Sequence, residues 1–221
     1  MASSDTTRML VLGVTQIFEP ANGYQLRREL LSWNVQDWAN VNPGSIYSML
    51  STLNKQGMVD RTDIASTTGA HPVAVYRMTP AGLTELLRLV RLGITTVHEF
   101  ERTEFYAAAS LMVTMVTREE VVTLLEERVD NLRLANLELE GTVKRIKADS
   151  GTPPHVGRLI DYSAALNAAE AVWLGGFIDE IRAGGLTFLG EPAMQDWKPM
   201  ANDPAWQMVH DREAYLKALR D

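Results

Sequence analysis

The sequence predicts a mainly α-helical protein with one small β-hairpin. Apolar residues recur at helical spacing through most of the chain, and the strand pattern is confined to two segments, 58–62 and 73–78. The chain has 221 residues, of which 46% are hydrophobic and 22% charged, as in ordinary globular proteins. This length suits one large domain or two small ones. We predict two, residues 1–97 and residues 98–221.

Composition excludes several classes of site. The chain has no cysteine, so it forms neither disulfides nor cysteine-based zinc sites. The segment 1–7 is polar and does not resemble a signal peptide. No apolar run approaches the roughly 20 residues needed to span a bilayer. We therefore expect a cytoplasmic protein without membrane contacts.

Charge is distributed unevenly along the chain. The net charge is −7, which argues against a general polyanion binder. Residues 1–95 hold eight Lys or Arg and seven Asp or Glu, whereas residues 96–221 hold thirteen and twenty-one. Any contact with nucleic acid should therefore come from local patches in the first part.

The elements predicted within residues 1–95 are arranged around a short helix that follows Asn42. Asn42 is placed as an N-cap, Pro43 suits the first turn, and Gly57 suits a left-handed residue after the helix. One face carries an apolar stripe: Ile46, Met49, Leu50 and Leu53. The other face carries Ser45, Ser48, Ser51, Thr52 and Lys55.

This polar face has short hydrogen-bonding groups, one cation and almost no acid. A helix that enters a major groove needs such groups, because acidic or bulky side chains would meet phosphates. A polar surface helix without a ligand is the alternative, and this stretch alone does not separate the two.

The surrounding elements predict a winged helix-turn-helix. Helical patterns cover 8–18 and 24–35 before the central helix, and the two strands follow it, joined by the polar loop 63–72. Thr79 and Pro80 then begin another helix, as N-cap and first-turn residue. Three helices, a hairpin and a further helix are typical of this DNA-binding arrangement.

Three motifs in this region resemble the PadR family of bacterial transcriptional regulators, with its "GY-L", "PGSVY-L-L--GLV" and "VYR-TPAG" patterns. In this chain they are Asn22-Gly23-Tyr24-Gln25-Leu26, Pro43-Gly44-Ser45-Ile46-Tyr47-Ser48-Met49-Leu50 with Gly57-Met58-Val59, and Val75-Tyr76-Arg77-Met78-Thr79-Pro80-Ala81-Gly82.

The resemblance implies a DNA-binding surface. The helix from Pro43 would read DNA, the preceding helix would clamp the backbone, and the hairpin would be the wing. The implied residues are Gln25, Arg27, Arg28, Ser45, Tyr47, Ser48, Ser51, Thr52, Lys55, Arg61, His71 and Arg77, with Thr67 and Thr68 as further wing candidates. Tyr47 has packing as an alternative. The wing lacks the family's basic "GRPRK" and has Gly69-Ala70-His71-Pro72-Val73 instead, which predicts a weaker or pH-dependent contact.

A heptad pattern in the second half predicts a coiled-coil dimerisation helix, which follows a helix over 100–116 and a cap at Thr117. Asn136 is its one polar position and can select register. A long helix packed on its own domain is the alternative. The eight heptad residues are Val122, Leu125, Val129, Leu132, Asn136, Leu139, Val143 and Ile146.

The C-terminal part predicts a long apolar helix over 155–183 and a tail with a last helix over 204–220. We expect the tail to pack over the helical domain, as an ordinary core or as the cover of a pocket for a small apolar or aromatic effector. The aromatic candidates for that pocket are Trp173, Phe177, Trp197 and Trp206.

Motifs for catalysis are absent from the sequence. It has no phosphate-binding glycine loop, no HExxH and no GxSxG, and its four histidines are scattered. His98 with Glu99 and Glu101 is better interpreted as a solvated face than as a metal site. We expect no enzyme activity, cofactor or metal.

The sequence thus predicts a homodimeric regulator that binds a pseudo-palindromic DNA operator, a repressor that a small molecule releases. One alternative is a dimeric winged-helix adaptor for other proteins that lacks specific DNA binding. A second is an activator whose effector is a protein.

Overall fold

A computed structural model describes residues 4–65, 72–99, 101–148, 151–195, 199–200 and 203–220. The chain divides into two compact units. The first combines Met1–Val90 with Pro192–Asp221, and the second is Arg91–Glu191. The first unit ends at Val90 and includes the tail from Pro192, whereas the sequence analysis divided the chain after residue 97 and placed the tail in the second domain. Among the described helices, none is long and apolar enough to cross a membrane.

The first unit has the predicted order of helices and strands, with short additions. Its elements are α1 (Ser4–Phe18), β1 (Ala21–Asn22), α2 (Gly23–Ser32), α3 (Val35–Trp38), α4 (Pro43–Lys55), β2 (Val59–Ile64), β3 (Val73–Met78) and the start of α5 (Pro80–Thr95). The tail adds α9 (Pro192–Gln195) and α10 (Pro204–Ala218). The winged helix-turn-helix fold class is confirmed.

The sheet has three strands in the order β1-β3-β2, all antiparallel. The β2–β3 hairpin was predicted, whereas the two-residue β1 was not. β1 pairs Ala21 with Tyr76 and Asn22 with Val75. This pairing joins the start of α2 to the middle of β3.

Local signals explain the bounds of the central helix. Pro43 opens α4, and Gly57 follows its end with a φ of +69°, a conformation that glycine adopts without strain. Thr79 caps α5, because its Oγ1 accepts a hydrogen bond from the Gly82 N–H at 3.1 Å. Asn42 occupies the N-cap position of α4, but its side chain makes no capping hydrogen bond.

The tail helix packs on the first unit, which corrects our expectation that it covers the helical domain. α10 contacts α1, α2 and β1. Its first turn is capped by Asp203, whose Oδ1 accepts from the Ala205 N–H at 2.8 Å. Ala205 and Met208 are its buried residues. Sequence patterns did not reveal this docking because the partners are about 190 positions apart.

The second unit contains the end of α5 and three further helices: α6 (Thr103–Met115), α7 (Arg118–Ala148) and α8 (Pro154–Arg182). α7 and α8 run antiparallel as a helical hairpin. Hydrogen bonds join Asn136 Nδ2 to the Ala164 carbonyl at 3.1 Å and Asn167 Nδ2 to Asn136 Oδ1 at 3.0 Å.

The heptad stripe of α7 faces α8 of the same chain. All eight stripe residues are buried or half-buried in a single copy, and Asn136 finds its partners on α8. The stripe therefore fits the alternative of a long helix packed on its own domain. Pairing between copies would need another surface.

A buried arginine holds the helical unit together. Arg128 is 1% exposed, and its guanidinium pairs with Glu170 at 2.6 Å and donates to the Ile94 and Thr96 carbonyls. Its Cζ lies 4.1 Å from the centroid of the Phe105 ring. Burial lowers the pKa of Arg128, and the charge of Glu170 opposes that shift.

Loss of Glu170 should destabilise the helical unit strongly. A Glu170→Ala change leaves the buried Arg128 without its counterion, so we expect the free energy of unfolding to fall by about 3 kcal/mol. Asp130→Ala is the matched control, because Asp130 pairs with Arg133 in the open, and it should cost less than about 1 kcal/mol. Urea unfolding of both variants measures the difference, and equal losses would contradict a structural role for the buried pair.

Candidate nucleic-acid interface

α4 separates its apolar and polar residues as the sequence predicted. Ile46, Leu50 and Leu53 are fully buried, and Met49 is half-buried. The opposite face is exposed and consists of Tyr47, Ser48, Ser51, Thr52 and Lys55. Ser45 lies at its edge, half-buried. The structure thus brings the six predicted α4 residues together along one side of one helix.

Two hydroxyls on this face donate to the helix that carries them. Ser45 Oγ donates to the Asn42 carbonyl at 2.7 Å, and Thr52 Oγ1 donates to the Ser48 carbonyl at 2.9 Å. Ser48, Ser51 and Lys55 form a row spaced by three and four residues, roughly 10 Å long at 1.5 Å per residue. That length fits within a major groove about 12 Å wide.

Tyr47 both packs and remains exposed. Its ring lies over the first residue of α2, since a Cβ added at Gly23 would come within 3.2 Å of Tyr47 Cε1 and 3.5 Å of Tyr76 Cε2. A side chain at this position would require the Tyr47 ring to move by a few tenths of an ångström, so glycine suits this close approach of α4 to α2. Tyr47 nevertheless stays 44% exposed, so packing and contact with a ligand are compatible.

The predicted backbone clamp on α2 is occupied by the tail. Gln25 is buried and completes a capping box with Asn22. Its Nε2 donates to Asp211 Oδ2 at 2.8 Å. Arg28 is half-buried and donates to the Pro204 carbonyl at 3.2 Å. The sequence analysis missed this arrangement because nothing local indicates where α10 docks.

The tail also brings negative charge to α2. Burial raises the pKa of Glu29, and the nearby Asp203 raises it further, against the opposing hydrogen bond from Trp33. Tyr215 accepts a hydrogen bond from Asn22 Nδ2 at 2.9 Å. Burial raises the pKa of this phenol. Arg27 is half-buried beside them, and its buried Nε has no hydrogen-bond partner among the described atoms.

The wing places its cations next to acids. Arg61 pairs with Asp63 on the same strand at 2.9 Å, and Arg77 lies opposite Asp60 in the ladder. Both arginines are exposed. The predicted wing residues Thr67, Thr68 and His71 lie outside the described residues. The described part of the wing therefore offers two exposed arginines, of which Arg61 is partly neutralised by its pair with Asp63.

The proposed effector aromatics lie in different units. Trp173 and Phe177 stack on α8 with ring centroids 5.0 Å apart. Trp206 lies on α10 of the first unit, where it stacks on His210 at 3.5 Å. Trp197 lies outside the described residues. A pocket formed by these four residues stays a prediction.

Residues 11–88 match the sequence profile of the Transcriptional regulator PadR-like family. No curated protein matches the chain. Bacillus subtilis PadR in complex with operator DNA is a similar solved structure, with 19% identity, coverage of 79% of this chain and 98% of that chain, and a TM-score of 0.36. The structure of smu.1604c from Streptococcus mutans UA159 is 17% identical, covers 81% of this chain and 99% of that chain, and has a TM-score of 0.35. Bacillus subtilis PadR in complex with p-coumaric acid is 16% identical, with coverage of 80% of this chain and 97% of that chain and a TM-score of 0.32.

Proposed function

We propose that this chain is a cytoplasmic, sequence-specific DNA-binding regulator, because residues 11–88 match the sequence profile of the Transcriptional regulator PadR-like family. It acts as a repressor that a small-molecule effector relieves. The observation that carries the proposal is the exposed hydroxyl and lysine face of α4 on a helix whose other side is fully buried.

α4 serves as the recognition helix. Its exposed hydroxyls are short enough to approach base edges, and Lys55 near its end reaches a phosphate or a guanine. No acid interrupts this face. The chain's net charge of −7 then limits general attraction to DNA, so affinity depends on these local contacts.

A second copy covers an apolar stripe on α8. The stripe consists of four large side chains spaced by three, four and seven residues. They are Leu159, Tyr162, Leu166 and Trp173, with exposed fractions of 64%, 63%, 43% and 56%. A stripe of four large apolar side chains is unusual on a helix that faces only water. This face supports homodimerisation in place of the heptad residues of α7, which α8 already covers.

Dimerisation suits the size of the recognition surface. One α4 offers a single row of contacts, and two copies related by a two-fold axis would read both halves of a pseudo-palindrome. The half-sites would then lie about one helical turn apart, or a multiple of it.

A groove on the same face of the helical unit is the proposed effector site. It has a volume of about 720 Å³, and its walls include Tyr106, Leu159 and Leu166. Arg102 and Glu170 also line it but pair with each other at 2.9 Å, so the groove favours a largely apolar ligand. A ligand there would touch the partner copy and change the spacing of the two recognition helices.

DNA titration tests the regulator proposal. We expect the full chain to select one duplex from a randomised pool and to lose affinity steeply as salt rises. Lys55→Ala should weaken binding and reduce the salt slope by about 1. Lys144→Ala, the same charge change on an exposed residue of α7, should leave both unchanged.

The alternative of a protein-interaction adaptor predicts a different result. A chain that enriches no sequence from the pool, or binds all duplexes equally, would favour the adaptor. If Lys55→Ala and Lys144→Ala change DNA affinity equally, α4 is excluded as the helix that contacts DNA.

Light scattering tests the α8 surface. The full chain should have twice its mass of 24.6 kDa, and Leu166→Glu should shift it towards the monomer because a charge in an apolar interface is costly. Leu134→Glu is the control, since Leu134 is 59% exposed on the side of α7 turned away from α8. A dimer that survives the Leu166 change, or one that both changes disrupt, would contradict this assignment.

A further inference from the structure

α10 covers an edge of the winged-helix unit where DNA backbone is expected. In helix-turn-helix proteins the first helix of the motif crosses the phosphates, and here that helix is α2. Asn and Gln amides, Arg and helix N-termini are the usual phosphate contacts. Asn22, Gln25 and Arg28 supply these groups on α2, and each donates a hydrogen bond to α10.

The acceptors on α10 resemble those of a phosphate. Asp211 presents a carboxylate oxygen to Gln25 Nε2 at 2.8 Å, and the Pro204 carbonyl accepts from Arg28 at 3.2 Å. Gln207 also donates to Asp211, at 3.3 Å, which holds the carboxylate in place. An anionic group of the chain itself therefore already accepts the Gln25 hydrogen bond that a phosphate could accept.

The packing of α10 is shallow compared with that of the core helices. Two of its fifteen residues, Ala205 and Met208, are buried. α1 has the same length and buries ten residues. The exposed face of α4 meanwhile stays open with α10 in place. The tail thus obstructs the backbone edge without covering the recognition surface.

We propose that α10 is an autoinhibitory element, an internal competitor that uses Asp211, the Pro204 carbonyl and Tyr215 to occupy the phosphate-contacting edge of α2. Release of α10 exposes Asn22, Gln25 and Arg28 to the DNA backbone and strengthens binding. This inference rests on the proposed function, because it assumes that the unit binds DNA.

Chain connectivity gives the helical unit a means to control this element. Glu191 is the last residue of the second unit, and Arg118 at the start of α7 pairs with it at 2.7 Å. Arg118 also donates to the Leu186 carbonyl at 2.6 Å. The segment before the tail is thus tied to α7.

Two variants that each remove one negative charge test the proposal. Asp211→Ala removes the contact with Gln25, and Glu213→Ala removes one negative charge from an exposed position two residues later. Both variants change the net charge equally, so a general electrostatic effect appears in both. We expect Asp211→Ala to raise affinity for the selected duplex about fivefold at fixed salt, the effect of one hydrogen bond, and Glu213→Ala to change it less than twofold.

Tyr215→Phe provides a second variant that keeps the charge and the ring. It removes the hydroxyl that accepts from Asn22, and it should also raise affinity. If the tail is instead a permanent part of the interface, Asp211→Ala and Tyr215→Phe will lower affinity or leave it unchanged, which overturns the inference. If neither the unmodified chain nor any variant binds DNA, the proposed function fails and the inference fails with it.

Hydrogen exchange on the full chain gives an independent readout. Addition of the selected duplex should speed amide exchange in Pro204–Ala218 while it slows exchange in α4. Slower exchange in α10 on DNA binding would overturn the proposal and leave the regulator function intact.

Discussion

The orientation of α4 depends on the burial of one apolar stripe. Three residues of this stripe, Ile46, Leu50 and Leu53, are fully buried. Burial of each aliphatic side chain contributes roughly 1.5–3 kcal/mol to the free energy that favours folding. A rotation of α4 by one residue would expose these side chains and bury hydroxyls. The same burial that stabilises the unit therefore determines which side of α4 faces outward, and every functional argument for the first unit follows from that orientation.

The helical unit shows how one sequence pattern can fit two structures. A heptad of apolar residues predicts that a helix pairs with another helix, but the pattern does not say whether that helix belongs to the same chain. Here α8 begins six residues after the end of α7 and lies antiparallel to it, so the apolar stripe of α7 packs on α8 of the same chain. The surface left for another copy is the exposed apolar stripe of α8 that begins at Leu159. The sequence analysis did not find this stripe because the heptad of α7 is the stronger pattern.

Prediction from sequence succeeded where the signal is local. Pro43, Gly57 and Thr79 each determine a helix end through their own backbone or side-chain chemistry, and the structure has helix ends at those positions. The polar face of α4 followed from periodicity in the same way. Short elements such as α3 and β1 carry too few residues for a periodic signal.

Long-range docking explains the rest of the differences. Gln25 and Arg28 were assigned to the DNA backbone because the resemblance to the PadR family implies that role. The sequence contains no sign that Asp211 and Pro204, far away in the chain, bind the same groups. The tail carries no sequence signal for its docking site, and its partner surface is visible only once the winged-helix unit is assembled.

Hydroxyl-radical footprinting of the selected duplex with the 221-residue chain tests the central claim most directly. The account predicts two protected segments on each strand, arranged about a two-fold axis with centres one helical turn or a multiple of it apart. It also predicts that methylation of guanine N7 in the major groove interferes with binding at both half-sites. A single protected segment, or protection that methylation in the major groove does not affect, would contradict the account of two α4 helices on one operator.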